Sequence, residues 1–218
     1  MQSVLKKTKG VKNMDANAMF KLTYGLFVLT AKEGEKDNGC IVNTVSQVAS
    51  EPNTIAVSVN KNNLTHDMIL STGEFNVSIL SESAKFDTFK HWGFQSGRDA
   101  DKTSEAEIEF SRSENGLIYL AKETNSYISA KVFSTVDLGS HTLFLAKVTD
   151  AKLLSDEESV SYAYYHKNIK PAPQKSKKKG FICKICGYIY EGDTLPEDFT
   201  CPLCKHPASD FEPMEIDG

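Results

Sequence analysis

Four of the five cysteines in this chain of 218 residues lie between residues 183 and 204, in two C-x-x-C pairs. The pairs are Cys183 with Cys186 and Cys201 with Cys204. Each pair lets two thiolates bind one ion from a tight turn, and two such turns facing each other complete a tetrahedron of sulfur. The surrounding stretch is too short to be held together by a hydrophobic core alone, so a bound metal is expected to stabilise it. Tetrahedral sulfur suits zinc and iron alike, so the spacing leaves the metal open.

The residues around the cysteines bear on the choice of metal. Gly187 can adopt a positive φ and leave backbone amides free to point at the sulfurs, and Pro202 stiffens the second turn. Hydrogen bonds from amides to sulfur tune a reduction potential. Aromatic side chains could shield an iron centre from water, and they would serve a zinc knuckle equally well: Tyr188, Tyr190, Phe199 and Phe211.

The segment CKICGYIYEGDTLPEDFTCPLC resembles rubredoxin in its CxxCGYxY, acidic LPxDF and CPxC motifs. This resemblance implies that Cys183, Cys186, Cys201 and Cys204 bind one iron ion, as Fe(Cys)4. The stretch between the two pairs is shorter than in free-standing rubredoxins and is nearer to the shortened type that is fused to other proteins. Many acidic residues surround the motif, which predicts steering toward a basic patch on a redox partner.

Most of the chain before about Ala163 has the pattern of short strands. In TIAVSVN, for example, Ile55, Val57 and Val59 share one face, while Ala56 and Ser58 occupy the other. Many short strands with few helices predict a mainly β protein with a closed or split β-barrel. The predicted strands are YGLFVLT, GCIVNTVSQV, TIAVSVN, FNVSIL, YISAKVFSTVDL and HTLFLAKVTDAKLL.

Two segments have helical signals. LTHDMIL begins a helix at Leu64, for which Thr65 is the predicted N-cap. SAKFDTFKHWG predicts a second helix that ends at Gly93. Farther along, KNIKPAPQKSKKKG combines prolines with a run of lysines and contains almost nothing apolar, which is typical of a linker. We therefore predict a barrel domain over residues 1–166, a linker over 167–179 and a small metal domain over 180–218.

Composition limits the class of protein. The chain has 40% hydrophobic and 25% charged residues and a formal charge of −4, as in ordinary globular proteins. It has no apolar run of the roughly 18 residues that span a bilayer, and the start MQSVLKKTKG lacks the apolar stretch of a secretory signal. We expect a cytoplasmic protein with neither nucleic acid nor a membrane as partner. In that reducing compartment, paired C-x-x-C motifs indicate metal or redox chemistry rather than disulfides.

A one-electron iron centre needs a donor, and a flavin is the usual converter between the hydride of a nicotinamide and single electrons. The sequence has no GxGxxG, so it does not indicate a Rossmann fold. VNKNNLTHDMIL reads as a strand, a polar turn and a helix start, and a helix N-terminus beside Lys61 could bind a phosphate. An Asn-rich turn and a threonine cap are also common without any ligand.

The stretch from about Met14 to Lys167 resembles the flavin reductase-like, FMN-binding split-barrel family, which includes flavoredoxins. NTVSQVASEPNTIAVSVNKNNLTHDMI, SGRDADK and GSHTLFLAKVTDA carry the resemblance. It implies contacts to the isoalloxazine ring at Asn43, Thr44, Val45, Ser46 and Gln47. It implies phosphate contacts at Asn60, Lys61, Asn62, Thr65 and His66. It also implies a loop that closes over the cofactor and includes Gly97, Arg98 and Lys102.

Other residues have competing interpretations. His141 follows Gly139 and Ser140, where the family has GDH. It is the candidate catalytic residue, but the aspartate that could orient its imidazole is missing, and a polar residue at a strand start is the alternative. Cys40 fits a buried small hydrophobe, and Trp92 fits the end of a packed helix. The aromatic run Tyr164, Tyr165 and His166 lies where the barrel meets the linker, and it fits either packing there or contact with the flavin.

The domain order resembles the high-molecular-weight rubredoxins of anaerobes. This resemblance implies electron transfer from NADH or NADPH to FMN, then to the iron, then to a partner that is typically a flavodiiron protein reducing dioxygen or nitric oxide. It also implies a homodimer. The alternatives are a stand-alone flavin or ferric-chelate reductase, and an FMN-binding protein whose cysteines form a structural zinc ribbon.

Overall fold

The computed structural model of the chain describes residues 16–104, 109–171 and 178–216. The chain divides into two compact units, Met1–Lys170 and Pro171–Gly218, here called the barrel unit and the C-terminal unit. Residues 172–177 of the predicted linker lie outside the described residues, and the predicted linker boundaries stay a prediction. Among the described residues, no helix is both long and apolar enough to cross a membrane.

The barrel unit is built mainly from antiparallel strands. Seven of them form one sheet in the order β2-β1-β5-β8-β9-β4-β3, and β6 pairs with β7 in a separate hairpin. The strands are β1 Phe27–Glu33, β2 Lys36–Val42, β3 Ser46–Ser50, β4 Asn53–Asn60, β5 Glu74–Leu80, β6 Phe110–Arg112, β7 Ile118–Leu120, β8 Thr124–Asp137 and β9 His141–Leu153.

The connection between the two edge strands requires the sheet to curl into a barrel. In a flat sheet of seven strands spaced about 4.8 Å apart, the edges would be roughly 29 Å from each other. The edge strands β2 and β3 are consecutive in the chain, however, and β2 ends at Val42 while β3 begins at Ser46. Four Cα steps span at most about 15 Å. The sheet must therefore bend until its edges approach each other, as in the predicted split barrel.

Two apolar clusters stabilise this unit, and β1 contributes to both because its side chains alternate between them. Phe27 and Leu29 belong to the first cluster, while Val28 belongs to the second. The first cluster includes Ile55, Val57, Val59, Met68, Ile69, Phe75, Val77 and Phe144. The second includes Leu26, Leu80, Phe89, Trp92, Ile118, Val160 and Tyr165. The predicted shared face of Ile55, Val57 and Val59 is confirmed.

Both predicted helices are confirmed, as α1 Leu64–Thr72 and α2 Phe86–Gly93. The predicted N-cap is wrong: Asn63 occupies that position, and its side chain makes no capping hydrogen bond. Thr65 lies inside the first turn, where its buried hydroxyl accepts a hydrogen bond from Asn38 Nδ2 at 2.9 Å. After α1, Gly73 adopts the left-handed conformation that glycine favours at a helix end. Short helical turns cover Ala16–Lys21 and Tyr162–Tyr164, and a π-helix covers Tyr165–Ile169.

The predicted strands are present, with two differences. GCIVNTVSQV is not one strand, because the chain leaves β2 after Val42 and enters β3 at Ser46. In β8, alternation predicts one face for Ile128, Val132, Val136 and Leu138, but a register shift between Val132 and Ser134 interrupts it. Beyond the shift, residues on both faces of the strand are exposed, among them Phe133 by 54% and Val136 by 45%. The β6–β7 hairpin was not predicted, since strands of three residues leave almost no periodic signal.

The C-terminal unit contains a three-stranded antiparallel sheet in the order β11-β10-β12. Its strands are β10 Lys178–Cys183, β11 Ile189–Glu191 and β12 Phe211–Ile216, and a 3-10 turn covers Ala208–Asp210. The small core consists of the buried Cys183, Cys201 and Phe211, against which partly buried aromatic side chains pack: Phe181, Tyr188, Tyr190 and Phe199. A core this small agrees with the expectation that a metal stabilises the unit.

Candidate metal centre and cofactor pocket

The four predicted cysteine ligands converge in the C-terminal unit. The ligand atoms of Cys183, Cys186, Cys201 and Cys204 all lie within 4.8 Å of one another. The Sγ atoms of Cys183 and Cys204 are 3.6 Å apart, and those of Cys186 and Cys201 are 3.5 Å apart. Four sulfurs in a tetrahedron around a metal with bonds of about 2.3 Å would be about 3.8 Å from each other. The spacing therefore fits a four-thiolate metal site.

The first cysteine turn follows β10 and is closed by two backbone hydrogen bonds. The Cys183 amide donates to the carbonyl of Tyr188 at 2.9 Å, and the Gly187 amide donates to the carbonyl of Cys183 at 2.9 Å. Gly187 has a φ of 75°, in the left-handed region, as its sequence position predicted. This conformation directs the Tyr188 amide to the sulfur of Cys186.

The second cysteine turn repeats the first. The Cys201 amide donates to the carbonyl of His206 at 2.8 Å, and the Lys205 amide donates to the carbonyl of Cys201 at 3.0 Å. The His206 amide donates to the sulfur of Cys204. The residue in the glycine position of this turn is Lys205, which has a φ of 63°.

Amide donors also act on the buried sulfur of Cys201. Burial alone would raise the pKa of this thiol, but hydrogen bonds from the amides of Cys204 and Leu203 lower the pKa of Cys201 to about 6. Burial raises the pKa of the Cys204 thiol to about 12. A site with one thiolate already favoured and with amides aimed at sulfur is suited to a cation that binds thiolates.

The metal site is open on one edge. Cys183 and Cys201 are buried, whereas Cys186 is exposed and Cys204 is half-buried. Beside these two sulfurs, Ile185 and Leu203 are 57% and 69% exposed. An electron acceptor could therefore approach the thiolates of Cys186 and Cys204 from solvent.

The barrel unit contains a pocket of about 380 Å³ between β2, the start of α1 and the loop after α2. Because no side chain caps α1, the amide end of this helix is available at the pocket wall for an anionic group. The lining residues are Asn38, Gly39, Cys40, Ile41, Asn62, Asn63, Leu64, Thr65, Trp92, Gly93, Phe94, Gln95, Ser96, Gly97 and Lys102.

A buried cation lies in the wall of this pocket. Lys102 is 3% exposed, and its ammonium donates to the carbonyls of Gly39 at 2.9 Å and Trp92 at 3.0 Å. Desolvation lowers the pKa of Lys102. Burial raises the pKa of the neighbouring Cys40 thiol, although a hydrogen bond with Thr65 and the charge of Lys102 act in the opposite direction. The cation adds positive potential to the same pocket as the amide end of α1.

The loop that follows α2 is fixed over the pocket from two sides. Lys36 Nζ donates to the carbonyl of Gly97 at 3.0 Å, and Arg98 Nη2 donates to Asp67 Oδ2 at 2.5 Å. A Cβ atom at Gly97 would lie 2.2 Å from Asn38 Oδ1, so only glycine allows the loop to approach this closely. Hydrogen bonds from Arg98 and then His66 lower the pKa of Asp67.

The predicted FMN residues fall into three groups. Asn62, Thr65 and Lys102, together with Gly97, line the pocket. The predicted ring contacts, Asn43 to Gln47, lie instead at the connection from β2 to β3. There Thr44 Oγ1 donates to the carbonyl of Ser58 at 2.7 Å, Gln47 bonds to Asn53, Val45 packs against the first apolar cluster, and Ser46 begins β3.

The third group has partners within the protein. Asn60 Oδ1 accepts from the amide of Asn62, and Lys61 Nζ pairs with Asp137 Oδ1 at 2.7 Å. Both ring nitrogens of the buried His66 are engaged, by Asp67 at 2.9 Å and by Thr142 at 2.8 Å. A phosphate would have to compete with these partners. For all predicted FMN contacts, binding stays a prediction.

His141, the candidate catalytic residue, is the first residue of β9. Its Nδ1 lies 2.9 Å from Ser140 Oγ, so a serine hydroxyl stands in the place where the family would offer a carboxylate. Residue 141 pairs with Asn60 at the end of β4. Its catalytic role stays a prediction.

Several pocket residues were not identified from the sequence: Asn38, Gly39, Trp92 and Phe94. Trp92 was correctly expected to be buried, and it is fully buried. Gly39 could have been found, because glycine inside a strand often marks a close approach. A Cβ at this position would lie 2.8 Å from Trp92 Cζ3.

Two family models match the chain. The model described as flavin reductase like domain matches residues 19–173, and the model described as rubrerythrin, rubredoxin-like domain matches residues 181–212. The chain therefore belongs to the flavin reductase-like family and carries a rubredoxin-like domain that follows the barrel in the sequence. The expected fold class is confirmed.

Individual relatives extend the match to the whole chain. High molecular weight rubredoxin of Moorella thermoacetica is 41% identical over 91% of this chain and 99% of its own length. Ferric-chelate reductase (NAD(P)H) of Archaeoglobus fulgidus is 35% identical over 70% of this chain and 89% of its own. Among solved structures, flavin reductase PheA2 in its native state superimposes with a TM-score of 0.58, at 26% identity over 68% of this chain and 93% of its own. The resemblance to high-molecular-weight rubredoxins is thus confirmed.

Proposed function

We propose that the protein is an electron-transfer oxidoreductase that takes electrons from NAD(P)H by way of FMN, passes them to a one-iron rubredoxin centre and delivers them to a redox partner. One observation carries this proposal: a single chain combines a flavin reductase-like barrel with a four-sulfur site that is spaced for a metal and open on one edge. A flavin reductase alone does not need the second unit.

The barrel residues are suited to bind a phosphorylated, planar cofactor. When bound, FMN would supply the conversion between the two electrons of a hydride and the single electrons that an iron centre accepts. Asn62, Thr65 and the amide end of α1 would hold the phosphate, and Lys102 would add positive potential. The loop held by Arg98 would exclude water from the pocket.

The four thiolates would hold iron, which would supply one-electron redox chemistry. The amides of Tyr188 and His206 donate to the sulfurs of Cys186 and Cys204, which stabilises negative charge on sulfur and thereby tunes the potential. The exposed edge at these two cysteines would let electrons leave toward a partner. We propose a flavodiiron-type protein that reduces dioxygen or nitric oxide as that partner.

We further propose that the protein is a homodimer. The distal part of the β8–β9 hairpin exposes Phe133 by 54%, Val136 by 45% and Leu138 by 53%. Val48 on the edge strand β3 is 54% exposed. A cluster of exposed apolar side chains at one end of a hairpin is typical of an interface.

A stand-alone flavin or ferric-chelate reductase is the second candidate function. The likeness to the Archaeoglobus fulgidus ferric-chelate reductase, which is 35% identical over 70% of this chain, favours it. Such an enzyme would release reduced product. FMN that stays with the protein during gel filtration would argue against flavin as the released product.

The visible spectrum and the metal content of protein purified from its native host test the proposed function. We expect flavin bands overlaid by iron–thiolate charge-transfer bands, and both sets should bleach on anaerobic addition of NADH or NADPH. Flavin bands together with one zinc and no iron would mean that the C-terminal unit has a structural role. The proposed electron transfer would then be wrong, and the protein would be a flavin-dependent reductase.

A further inference from the structure

The two cysteine turns of the C-terminal unit have the same backbone geometry but differ in one residue. In each turn the amide of the first cysteine donates to the carbonyl of the residue five positions later, Tyr188 or His206. The residue just before that one donates its amide to the carbonyl of the first cysteine. This residue is Gly187 in the first turn and Lys205 in the second, at φ values of 75° and 63°. The two turns can therefore be compared directly at this position, which holds glycine in one and lysine in the other.

A lysine at this position is unfavourable for the backbone. Residues that have a Cβ rarely adopt a φ in this region, whereas glycine adopts it without steric cost. A Cβ at Gly187 would meet nothing within 4 Å, so packing does not demand glycine there. Residues held in sparsely populated conformations concentrate at functional sites, and the outlier is the observation from which a function is inferred.

The side chain of Lys205 is free to act outside the unit. Lys205 is exposed, and its ammonium forms no ion pair or hydrogen bond with the residues that the structure describes. It follows Cys204 directly in the chain, and Cys204 provides part of the open edge of the metal site. The side chain of Lys205 therefore starts one residue away from the thiolate that a partner would approach.

Within the two turns, residues 183–187 and 201–206, the side chains with a fixed charge are both lysines, Lys184 and Lys205. The acidic residues of this unit lie outside the turns: Glu191, Asp193, Glu197, Asp198, Asp210, Glu212, Glu215 and Asp217. The two lysines offset the negative charge of the four thiolates and their iron, so the turns are not acidic, unlike the rest of the unit, on which the predicted basic partner rests. Charges close to the contact determine which face of a partner docks.

We propose that Lys205 makes the open edge of the metal site a cationic docking face, and that the electron-transfer partner presents carboxylates to it. Ile185 and Leu203 provide the apolar part of this face. This inference rests on the proposed electron-transfer function and names the chemistry of the partner surface. The lysine is kept in place of glycine because its charge orients the partner at the exposed sulfurs.

Two small acceptors of opposite charge test the proposal on the full-length iron protein after its flavin has been removed, because reduced FMN would otherwise return electrons to the iron. The iron centre is reduced anaerobically with dithionite and desalted. It is then oxidised by ferricyanide, a trianion, or by tris(phenanthroline)cobalt(III), a trication. Each acceptor takes one electron as the iron passes from ferrous to ferric, and the returning iron–thiolate bands give the rate.

We expect Lys205→Gln to slow oxidation by ferricyanide and to speed oxidation by the cobalt complex, so that the ratio of the two rates falls several-fold. Lys205→Arg should keep the ratio of the unmodified protein. Lys179→Gln is the matched control, because it removes the same charge from an exposed position on β10, outside both turns, and it should change the ratio much less. An unchanged ratio in Lys205→Gln, or an equal change in Lys179→Gln, would overturn the proposal.

A stability measurement checks the backbone part of the argument. Lys205→Gly should raise the urea midpoint of the C-terminal unit in the zinc-loaded protein, since glycine adopts this φ without strain. A lower midpoint would mean that the lysine is there for stability and would overturn the inference. Because dithionite supplies the electrons and zinc needs no reduction, both tests are independent of NAD(P)H and FMN. A failure of the proposed function would therefore be seen separately.

Discussion

At the scale of single residues, Lys102 is the clearest case of a side chain whose surroundings decide its role. Its ammonium is buried and is bound by the carbonyls of Gly39 and Trp92. A buried charge is costly unless such partners satisfy it, and the carbonyls in turn lose their partner when the charge is removed. The residue therefore connects β2, α2 and the loop that lines the cofactor pocket.

Lys102→Met should lower the free energy of unfolding of the barrel unit by about 2 kcal/mol, because two buried carbonyls lose their hydrogen bonds. Urea unfolding followed by tryptophan fluorescence measures this, since Trp92 is the only tryptophan. Lys122→Met is the control, at an exposed lysine whose ion-pair partner among the described residues is Glu109, and it should change stability by less than about 0.5 kcal/mol. Equal effects of the two substitutions would contradict the assigned role.

The ion pair of Arg98 with Asp67 joins the loop over the pocket to α1. Arg98→Gln should weaken FMN binding several-fold, because the loop over the pocket loses its contact with α1. Quenching of flavin fluorescence on titration gives the dissociation constant. Lys122→Gln, which breaks an exposed pair that does not line the pocket, should leave it unchanged.

The same pair predicts a pH dependence with a defined sign. Arg98 and His66 lower the pKa of Asp67 below its usual value. The ion pair of Asp67 with Arg98 therefore stabilises the folded loop above the normal carboxyl pKa, and this contribution disappears as the pH falls through the lowered pKa of Asp67. FMN affinity should thus decline in acid in the unmodified protein and decline less in Arg98→Gln. The same decline in both proteins would show that Asp67 has no part in it.

At the scale of elements, the β8–β9 hairpin shows what register does to a predicted face. The sequence places Val132, Val136 and Leu138 on one side, but a register shift between Val132 and Ser134 interrupts that face. A bulge of this kind re-aims side chains within a strand. Beyond it, residues 133–137 are exposed on both faces of β8. This end of the hairpin is therefore available for a second subunit.

Phe133→Asp should convert the proposed dimer into a monomer, since a carboxylate in an apolar interface is costly to desolvate. Light scattering coupled to gel filtration should give about twice 24.1 kDa for the unmodified chain and 24.1 kDa for the variant. Leu153→Asp is a suitable control, because Leu153 is 68% exposed and lies at the end of β9 farthest from the hairpin turn, where it pairs with Ser126. A monomeric unmodified chain would contradict the dimer.

The two cysteine turns are the elements that depend on metal. Their thiols must lose protons to bind it. In the metal-free protein, in which we expect this unit to be unfolded, the thiols titrate near the ordinary cysteine pKa of about 8.5. We therefore expect the affinity of the metal-free protein for zinc to fall as the pH decreases below about 8.5, because each thiol that binds must release its proton. An affinity that does not change with pH in this range, measured by competition with a chelator, would contradict this.

At the scale of the whole molecule, the features that were predictable from sequence are those encoded locally. The metal ligands follow from two C-x-x-C pairs, and the helices and most strands follow from their periodicity. The pocket walls were less predictable. Lys102 reaches carbonyls on β2 and α2, and Lys61 pairs with Asp137, which is 76 residues away. Such partners meet only after the chain has folded, so a family motif gives the residue but not its partner.

Division into two units predicts two independent responses to metal removal. A strong chelator under reducing conditions should unfold the C-terminal unit, whose core includes the cysteines themselves, and leave the barrel unit folded. Hydrogen exchange should show loss of amide protection in β10 and β12 and unchanged protection in β4 and β9. Loss of protection in both units at once would contradict independent folding.

The central claim is that electrons from NAD(P)H reach the metal through the flavin, and protein stripped of flavin tests it most directly. The measurement is the rate at which the iron–thiolate bands bleach after anaerobic addition of NADH or NADPH, before and after FMN is restored. The account predicts no bleaching without FMN and rapid bleaching once it is added back. Bleaching at the same rate in the flavin-free protein, or none after FMN is restored, would contradict the account.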